Sequence, residues 1–438
     1  MLRIHIPRTP LLFAAALALA PKPMDAQQLS ATERRITAYV DAHVDDAVAL
    51  LERTVNINSG TLNVEGVREV GRVYAAQLDS LGFQTRWIEL PDSLRRAGHL
   101  FAERRGTRGK RLLLIGHLDT VFEKDSPFQR FQRSGDTANG PGASDMKGGD
   151  VVVIYALRAL EAAGALRDRR IVVAFTGDEE SPGRPLSISR AHLIEAGKNS
   201  DAALEFEGGS REENGRETAV TSRRSSSGWT LRITARSGHS SGIFSEGSGS
   251  GAIYEASRIL EAFRTQLREP GLTYNPGVIV GGTEATYDAG QSRGTAFGKT
   301  NVIAGTAVVT GDIRTLTDEQ LQRTQQRMRE IVSQSLPQAR AEISFTEGYP
   351  SMPPTPGNLA LLGTLNEVNR ALGFPTVDAN DPSRRGAADI SFVAPYVSGI
   401  GGLGVHGGGS HTERETADLS TLAQQIKRAA LLIYRLTR

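Results

Sequence analysis

The order of apolar and polar positions predicts that the chain begins with an α/β layered domain. RLLLIG at 111–116, RIVVAFTG at 170–177 and AALEF at 202–206 lack polar alternation across their centres. Such runs are typical of strands that are buried on both faces of a sheet. Between the first two runs, residues 148–163 predict a helix, and a polar helix-like stretch lies around residues 31–56. Buried strands that alternate with helices indicate an α/β domain.

A different pattern begins near residue 218, where Ser and Gly become more frequent. TLRITAR at 230–236 and KTNVIAGTAVVTGDIR at 299–314 alternate apolar and polar positions, as half-exposed strands do. A helical pattern lies between these strands, and another follows at 318–334. The Pro-rich PSMPPTPG at 350–357 is interpreted as a linker back to the first domain. The predicted organisation is a leader at 1–26, a first domain at 27–217 and 349–438, and an inserted α+β domain at 218–348.

Residues 1–26 have the layout of a secretory signal peptide, because two arginines precede an apolar run from Leu11 to Ala20. Cleavage after Ala26 is favoured, which leaves Gln27 first. The run is about ten residues long, against the roughly 20 that a membrane-spanning helix needs; an uncleaved anchor is the alternative. We therefore expect an exported protein, periplasmic or secreted, without membrane attachment after cleavage.

Charge and cysteine content narrow the chemistry. The formal net charge is +2, and the chain has no cysteine. The leader carries more basic than acidic side chains, so its removal brings the charge to about zero, which gives no support for a nucleic-acid partner. Without thiolates, any metal ion must be held by His, Asp and Glu.

Polar residues follow the predicted buried strands. His117 and Asp119 come directly after the strand at 111–116, where open α/β sheets place ligands. Asp145 lies in a glycine-rich turn before the predicted helix. Taken alone, the first pair could be a surface loop, and Asp145 could be a helix cap.

Three more segments offer ligands. Asp178-Glu179-Glu180 concentrates carboxylates after the strand at 170–177, and their repulsion favours a bound cation, although a solvated acidic turn is the alternative. Glu205 and Glu207 are two apart in a predicted strand at 202–207, so alternation places both on one face and does not choose between them. Near the C terminus, His411 lies after three glycines, where a lone histidine would usually be structural.

Imidazole and carboxylate ligands without thiolate suit Zn²⁺, Mn²⁺ or Co²⁺. Five such groups are too many for one open site, whereas two ions that share a carboxylate explain the number. A pair of ions about 3.5–4 Å apart can activate a water and polarise a carbonyl. One carboxylate must then stay unbound as the base.

The order of these motifs resembles that of the di-zinc metallopeptidases of clan MH. His-x-Asp, Ser-Asp-Met-Lys-Gly-Gly, Asp-Glu-Glu, Phe-Glu and a late Gly-Ser-His occur in the same order and with similar spacing. The likeness is greatest to glutamate carboxypeptidase-like exopeptidases, with acetylornithine deacetylase, succinyl-diaminopimelate desuccinylase and aminoacylase as relatives, and it covers nearly the whole mature chain. It implies a mixed-sheet, three-layer catalytic domain with an inserted α+β lid and dimerisation domain, two zinc ions per subunit and a homodimer.

The resemblance also implies a role for each site residue. Phe-Glu matches the ligand position of the family, which favours Glu207 over Glu205, and the ending His-Thr-x-x-Glu favours His411 over His406. In the implied metal sites, Asp145 bridges both ions, His117 and Glu207 complete one site, and Glu180 and His411 complete the other.

Two implied roles are not those of ligands. Asp119 would orient His117, because a ligating histidine needs an acceptor for its other nitrogen. Glu179 would take the proton from the attacking water and deliver it to the departing nitrogen.

The inserted domain contributes substrate contacts in the resemblance. His239 matches a lid histidine that reaches the scissile carbonyl oxygen, from the partner subunit in dimeric members, and Asn301 and Arg314 match residues that bind the substrate carboxylate. An arginine suits this task because its planar fork meets a carboxylate bidentately. One segment departs from the family pattern: residues 345–349, FTEGY, replace the arginine-rich strand of glutamate carboxypeptidase. A preference for an acidic side chain is therefore not implied.

These patterns predict a metal-dependent hydrolase that cleaves peptidyl or N-acyl amino acids with a free C-terminal carboxylate. An aminoacylase, deacetylase or dipeptidase on the same metal centre is the alternative. A serine hydrolase is a remote alternative, because GHSSG at 238–242 matches G-x-S-x-G but follows an alternating strand rather than a buried one. An exported non-catalytic binding protein is a further remote alternative, since binding alone does not need a proton acceptor such as Glu179.

Overall fold

The structure, a computed structural model, describes residues 28–438. The predicted signal peptide lies outside the described residues. Within residues 28–438, no helix combines the length and the apolar character that crossing a membrane requires.

The described residues form helices and strands that alternate along the chain. The helices are α1 (Ala31–Ala42), α2 (Val44–Val55), α3 (Val64–Ser80), α4 (Lys147–Ala162), α5 (Leu186–Ser189), α6 (Ala191–Lys198), α7 (Ala252–Gln266), α8 (Asp318–Ser333), α9 (Pro356–Leu372), α10 (Ile390–Val393) and α11 (Leu422–Thr437). The strands are β1 (Gln84–Ile88), β2 (His99–Arg104), β3 (Arg108–His117), β4 (Gln132–Ser134), β5 (Thr137–Asn139), β6 (Arg169–Thr176), β7 (Ala202–Glu205), β8 (Ser210–Arg211), β9 (Glu217–Ala219), β10 (Ser226–Ala235), β11 (Thr273–Gly282), β12 (Glu284–Asp288), β13 (Arg293–Phe297), β14 (Thr306–Arg314), β15 (Ala339–Tyr349), β16 (Asp378–Ala379), β17 (Gly399–Ile400), β18 (Gly407–Gly408) and β19 (Thr416–Asp418).

A six-stranded mixed sheet, in the order β1-β2-β6-β3-β7-β17, supports the predicted metal site. β3 pairs in parallel with β6 and β7, while β1 and β2 are antiparallel at one edge. Successive residues of a strand face opposite sides of the sheet. Leu112 and Leu114 therefore pack into the core that contains α4 and α11, whereas Leu113 and Ile115 pack into the core that contains α6 and α10. Helices on both faces confirm the prediction of a mixed-sheet, three-layer α/β fold.

A separate antiparallel sheet has the order β11-β14-β10-β15. Helices α7 and α8 pack against its inner face. Burial alternates along β10, where Trp229, Leu231 and Ile233 are buried and Arg232 is exposed. The β12–β13 hairpin lies between β11 and β14 in the chain. The sheet has its own apolar core, while the domain boundaries at 218 and 348 stay a prediction from the sequence.

Three local predictions were wrong in part. The helical stretch at 31–56 is two helices separated at His43. The predicted strand at 299–314 begins only at Thr306. The proposed linker at 350–357 contains a helix start: the Thr355 side chain accepts a hydrogen bond from the Asn358 N–H, and Pro356 occupies the first turn of α9. Threonine before proline is a helix-start signal that the density of prolines concealed.

Candidate metal centre

The predicted ligands converge at one edge of the mixed sheet. His117 is the last residue of β3, Glu180 follows β6, and Glu207 follows β7. Because these strands are parallel, their carboxyl ends meet at the same edge. Asp145 lies two residues before the start of α4, and His411 lies in the loop between β18 and β19. Segments far apart in sequence thus supply a single cluster.

The two oxygens of Asp145 face two different histidines. His117 Nε2 lies 3.4 Å from Asp145 Oδ1 and 3.3 Å from Glu207 Oε1. His411 Nε2 lies 3.2 Å from Asp145 Oδ2 and 3.1 Å from Glu180 Oε2. The cluster therefore has two halves that share one carboxylate, as two neighbouring metal sites with a bridging ligand require.

These separations fit divalent ions. Two ligand atoms that are each about 2.1 Å from a tetrahedral zinc ion lie about 3.4 Å apart, which matches the observed 3.1–3.4 Å. The Nε2 atom of His117 is buried and has no hydrogen-bond partner of good geometry among the described residues. Ligand atoms of His117, Glu179 and Glu207, and likewise of His117, Asp145 and Glu180, lie within 4.8 Å of one another. The residues present therefore fit a pair of metal ions.

The electrostatics of the cluster also favour positive charge. Burial disfavours a charged His117, yet the neighbouring carboxylates of Asp119, Asp145 and Glu207 raise the pKa of His117 well above its usual value. Hydrogen bonds to Asp145 and Glu180 raise the pKa of His411 to about 11. Burial and the nearby charge of Asp145 raise the pKa of Glu180 to about 7. Without metal ions, the cluster therefore binds extra protons, which neutralise the same carboxylates that bound cations would neutralise.

Asp119 supports both His117 and the turn at Glu179–Glu180. The Asp119 carboxylate lies 3.4 Å from His117 Nδ1, which is also 3.1 Å from the Asp119 carbonyl oxygen. The backbone N–H groups of Glu179 and Glu180 donate to the two carboxylate oxygens at 3.0 and 3.1 Å, and the Thr61 hydroxyl donates at 2.6 Å. A proton on Nδ1 leaves the Nε2 lone pair of His117 directed at the cluster.

Glu179 lies beside the ligands, and its side chain makes no ion pair to a histidine among residues 28–438. Burial raises the pKa of Glu179 well above its usual value, with a further contribution from Glu180. Its backbone is held on two sides, because the Tyr349 hydroxyl donates to the Glu179 carbonyl oxygen at 2.8 Å. A raised pKa makes the Glu179 carboxylate a stronger proton acceptor than an ordinary glutamate side chain.

The structure separates Glu205 from Glu207. The prediction that the two side chains share a strand face was wrong, because β7 ends at Glu205 and Glu207 lies beyond it. Glu205 is buried, forms an ion pair with Arg223 at 2.6 Å and accepts the backbone N–H of Ile390. Glu207 instead reaches His117.

His406, the rival of His411, lies outside the cluster. Its side chain is buried, packs against Gly209 and lies 3.6 Å from Glu217. His411 is the imidazole that contacts Asp145 and Glu180.

The three residues predicted in the inserted domain are not in contact with the cluster. His239 Nδ1 is 2.8 Å from the Ser241 hydroxyl, and His239 pairs with the Asn301–Val302 turn. Arg314 ends β14 and pairs with Asp312 at 2.9 Å. Neither histidine–carboxylate half of the cluster involves these side chains in the described structure.

Residues that the motif analysis did not assign to the site support it from elsewhere in the chain. Glu415 is buried and accepts the backbone N–H groups of Gly142, Ser144 and Asp145, which fixes the loop that carries Asp145. Burial, followed by the charge of Asp145, raises the pKa of Glu415 to about 7. Its position in the His-Thr-x-x-Glu ending was the available signal. Thr61 and Tyr349 carried no signal in the sequence.

A cavity of about 300 Å³ opens above the cluster. Asp145, Glu179, Glu180, Glu207 and His411 line one part of it, and three arginines line another. The volume is at the lower end of the range for small-molecule sites.

Comparison with known proteins decides the family. Residues 113–435 match Peptidase family M20/M25/M40. This chain belongs to peptidase family M20/M25/M40. It is therefore a hydrolase of a metal-dependent family, which confirms the likeness to metallopeptidases of this type.

The matches between this M20/M25/M40 chain and its relatives cover most of its length. It is 28% identical over 415 residues to carboxypeptidase G2 of Pseudomonas sp. (strain RS-16), and the match covers 92% of each chain. Aminopeptidase PepT of Bacillus cereus has a similar fold, with a TM-score of 0.72 at 15% identity over 90% of this chain and 99% of that one. The YXEP protein of Bacillus subtilis, described as a dinuclear metal binding peptidase, gives a TM-score of 0.61 at 15% identity over 91% of this chain and 99% of that one. Both structural likenesses support the fold.

Proposed function

We propose that this protein hydrolyses the amide bond of peptidyl or N-acyl amino acids that carry a free C-terminal carboxylate. The observation that carries the proposal is the pair of histidine–carboxylate groups that share Asp145, with Glu179 beside them. The relative named carboxypeptidase G2 supports the choice of a carboxypeptidase-like reaction.

The residues have separate tasks in this proposal. His117 and Glu207 would hold one divalent ion, Glu180 and His411 the other, and Asp145 both. Zinc is our first choice, with manganese or cobalt as alternatives that the same ligands accept. When bound, such ions lower the pKa of a water and polarise the substrate carbonyl group.

Glu179 supplies the proton transfers. Its carboxylate takes a proton from the attacking water and then donates that proton to the amide nitrogen as the carbon–nitrogen bond breaks. The backbone contacts to Asp119 and Tyr349 hold Glu179 in place for both transfers. General acid–base catalysis of this kind contributes roughly 10²- to 10⁴-fold to the rate.

Arg314 and Asn301 would bind the C-terminal carboxylate, and His239 would contact the carbonyl oxygen after the inserted domain approaches the cavity. The present partner of Arg314, Asp312, lies on the same strand and is partly exposed, so the pair is easily exchanged for a substrate carboxylate.

The decisive variant is Glu179→Gln, assayed with N-acylated amino acids and dipeptides. We expect kcat to fall by about 10²- to 10⁴-fold while the metal content stays close to that of the wild type, because Glu179 is not assigned as a ligand. The matched control is Glu413→Gln, since Glu413 is exposed and lies two residues beyond His411. Unchanged turnover of Glu179→Gln would refute the assignment of the base, and activity that survives thorough removal of metal would refute the proposed chemistry.

A further inference from the structure

The cavity above the metal cluster has an acidic part and a basic part. The basic part consists of Arg223, Arg384 and Arg385, which line the same cavity as Glu207 and Asp145. The acidic part is explained by the proposed metal ions, whereas the basic part has no role in the proposed amide hydrolysis. The three guanidinium groups differ in whether the protein itself neutralises them.

Arg223 and Arg384 each have a carboxylate partner. Arg223 forms a buried ion pair with Glu205 at 2.6 Å and donates a hydrogen bond to the Gly386 carbonyl oxygen at 2.8 Å. Arg384 pairs with Glu213 at 3.0 Å, and both side chains are well exposed. The positive charge of Arg223 is therefore balanced inside the protein, and that of Arg384 is shared with solvent.

Arg385 has no carboxylate partner among residues 28–438. Its guanidinium donates one hydrogen bond, from Nη2 to the Gly208 carbonyl oxygen at 2.8 Å, and its Nε atom is buried without a partner. Burial, and then the charge of Arg223, lower the pKa of Arg385 from its usual value. A guanidinium group that is partly removed from water and unpaired is costly, and a bound anion removes that cost.

The structure leaves room for an anion beside Arg385. A methyl group placed on the neighbouring Gly386 would meet no atom within 4 Å. The free edge of the guanidinium fork matches the two oxygens of a carboxylate. The metal cluster lies at the other part of the same cavity.

We propose that Arg385 binds a second carboxylate of the substrate, in addition to the C-terminal carboxylate assigned to Arg314. This inference rests on the proposed function and narrows it to dicarboxylate substrates. The amide group then lies at the acidic part of the cavity, and the second carboxylate at Arg385. The second carboxylate belongs either to the side chain of the released amino acid or to the acyl group.

This assignment does not depend on β15. The FTEGY segment of that strand lacks the arginines that would support an acidic preference, and Glu347 in it accepts hydrogen bonds from Arg184 and Leu186. The selectivity for an anion is instead supplied by the segment between β16 and α10, where Arg385 lies.

The first test uses the metal-loaded wild-type protein. One pair of substrates is N-acetyl-glutamate and N-acetyl-glutamine, and the other is N-succinyl-alanine and N-succinamoyl-alanine, in which an amide replaces the succinyl carboxylate. A charge-assisted bidentate contact predicts that kcat/KM of the acid exceeds that of the amide by about 10- to 100-fold in one pair. The pair that shows the preference identifies the source of the carboxylate. Equal kcat/KM values within both pairs would overturn the proposal.

The second test uses Arg385→Gln and Arg385→Lys. The acid-to-amide ratio of kcat/KM should collapse towards one in Arg385→Gln and take an intermediate value in Arg385→Lys, which keeps the charge but loses the fork. The ratio is measured within one protein, so a general loss of folded enzyme cancels. Arg370→Gln is the control, because Arg370 is exposed on α9 and away from the cavity. A ratio that Arg385→Gln leaves unchanged would refute the assignment.

A binding measurement separates this inference from the proposed function. Isothermal titration of metal-loaded wild type with glutarate and with its monoamide should show tighter binding of glutarate. The ratio of the two dissociation constants should fall by about 10- to 100-fold in Arg385→Gln. If no amide is hydrolysed but glutarate is preferred in a way that depends on Arg385, the proposed function fails and the anion site stands. If amides are hydrolysed without any such preference, the anion site fails alone.

Discussion

Asp119→Asn removes the charge that holds both His117 and the turn at Glu179–Glu180. In the native protein, one carboxylate oxygen accepts the Glu179 N–H, and the other accepts the Glu180 N–H and the Thr61 hydroxyl. The pKa of Asp119 lies below its usual value despite its burial, because His117, Thr61 and the backbone of Glu179 all interact favourably with the charged form. The folded protein therefore stabilises the charged carboxylate of Asp119, and a neutral amide is a poor replacement.

The two orientations of the asparagine amide differ in cost. An NH₂ group facing Glu179 leaves that N–H without an acceptor, and it also faces the Nδ1 of His117, which keeps only the Asp119 carbonyl oxygen as its acceptor. An NH₂ group facing Glu180 leaves only that N–H without an acceptor, since the Thr61 hydroxyl can rotate and accept. One orphaned donor costs about 1–3 kcal/mol, and the loss of charge weakens the remaining contacts by about 1 kcal/mol. We expect a loss of about 2–4 kcal/mol of stability.

The same substitution should lower metal affinity by about 10- to 100-fold, because outer partners of ligating histidines have effects of this size. Metal affinity is measured by competition with a chelator, and stability by urea unfolding at a fixed metal concentration. Asp125→Asn is the control, since Asp125 is exposed and its carboxylate makes no described contact. Metal affinity and stability of Asp119→Asn equal to those of the control would refute the role assigned to Asp119.

Three further predictions concern the ligands, the metal and pH. Glu207→Ala should lose about one of the two bound ions, as measured by atomic emission. Glu205→Gln should keep both ions and unfold at lower temperature, because Arg223 loses its charged partner. The opposite metal contents would show that Glu205 is the ligand. Removing metal should lower the melting temperature, and zinc should restore it in a concentration-dependent way; a melting curve indifferent to zinc would contradict the site. His99 is buried, and burial lowers its pKa; the unfolded chain therefore binds the proton first as pH falls below about 6.5, and stability decreases there by up to about 1.4 kcal/mol per pH unit. His99→Gln should show a shallower decrease in urea unfolding at constant metal, and an equal slope would exclude His99 as a cause.

The sequence predicted most of the metal centre because buried apolar runs identify parallel strands. Once the runs at 111–116 and 170–177 are parallel neighbours, His117 and Glu180 must lie at one edge of the sheet. The choice of Glu207 came from family resemblance, since the alternation argument assumed a strand that continues to residue 207. The strand ends two residues earlier, at Glu205, so Glu205 and Glu207 do not share a strand face and only Glu207 reaches the site.

The contacts of Arg385 and Glu415 could not be predicted from local patterns, although the His-Thr-x-x-Glu ending marks Glu415 itself. Each acts on a segment far away in sequence: Arg385 donates to the Gly208 carbonyl, and Glu415 accepts from the loop before Asp145. A charged residue in a loop is usually solvated, so the sequence around Arg385 gives no reason to assign it a partner, and the motif that contains Glu415 does not say which N–H groups it accepts. The path of the chain decides these contacts.

The turn after β6 explains how two adjacent glutamates can take different roles. Asp119 binds both backbone N–H groups of the turn, and Tyr349 binds the carbonyl oxygen of Glu179. This backbone does not continue the strand, and it directs Glu180 to His411 at 3.1 Å while the Glu179 side chain stays free of an ion pair to a histidine. Two carboxylates side by side would otherwise compete for the same cation. Fixing the backbone at three atoms separates a ligand from a proton acceptor, so we expect Asp119 and Tyr349 to matter for the orientation of Glu179 as much as for the stability of the turn.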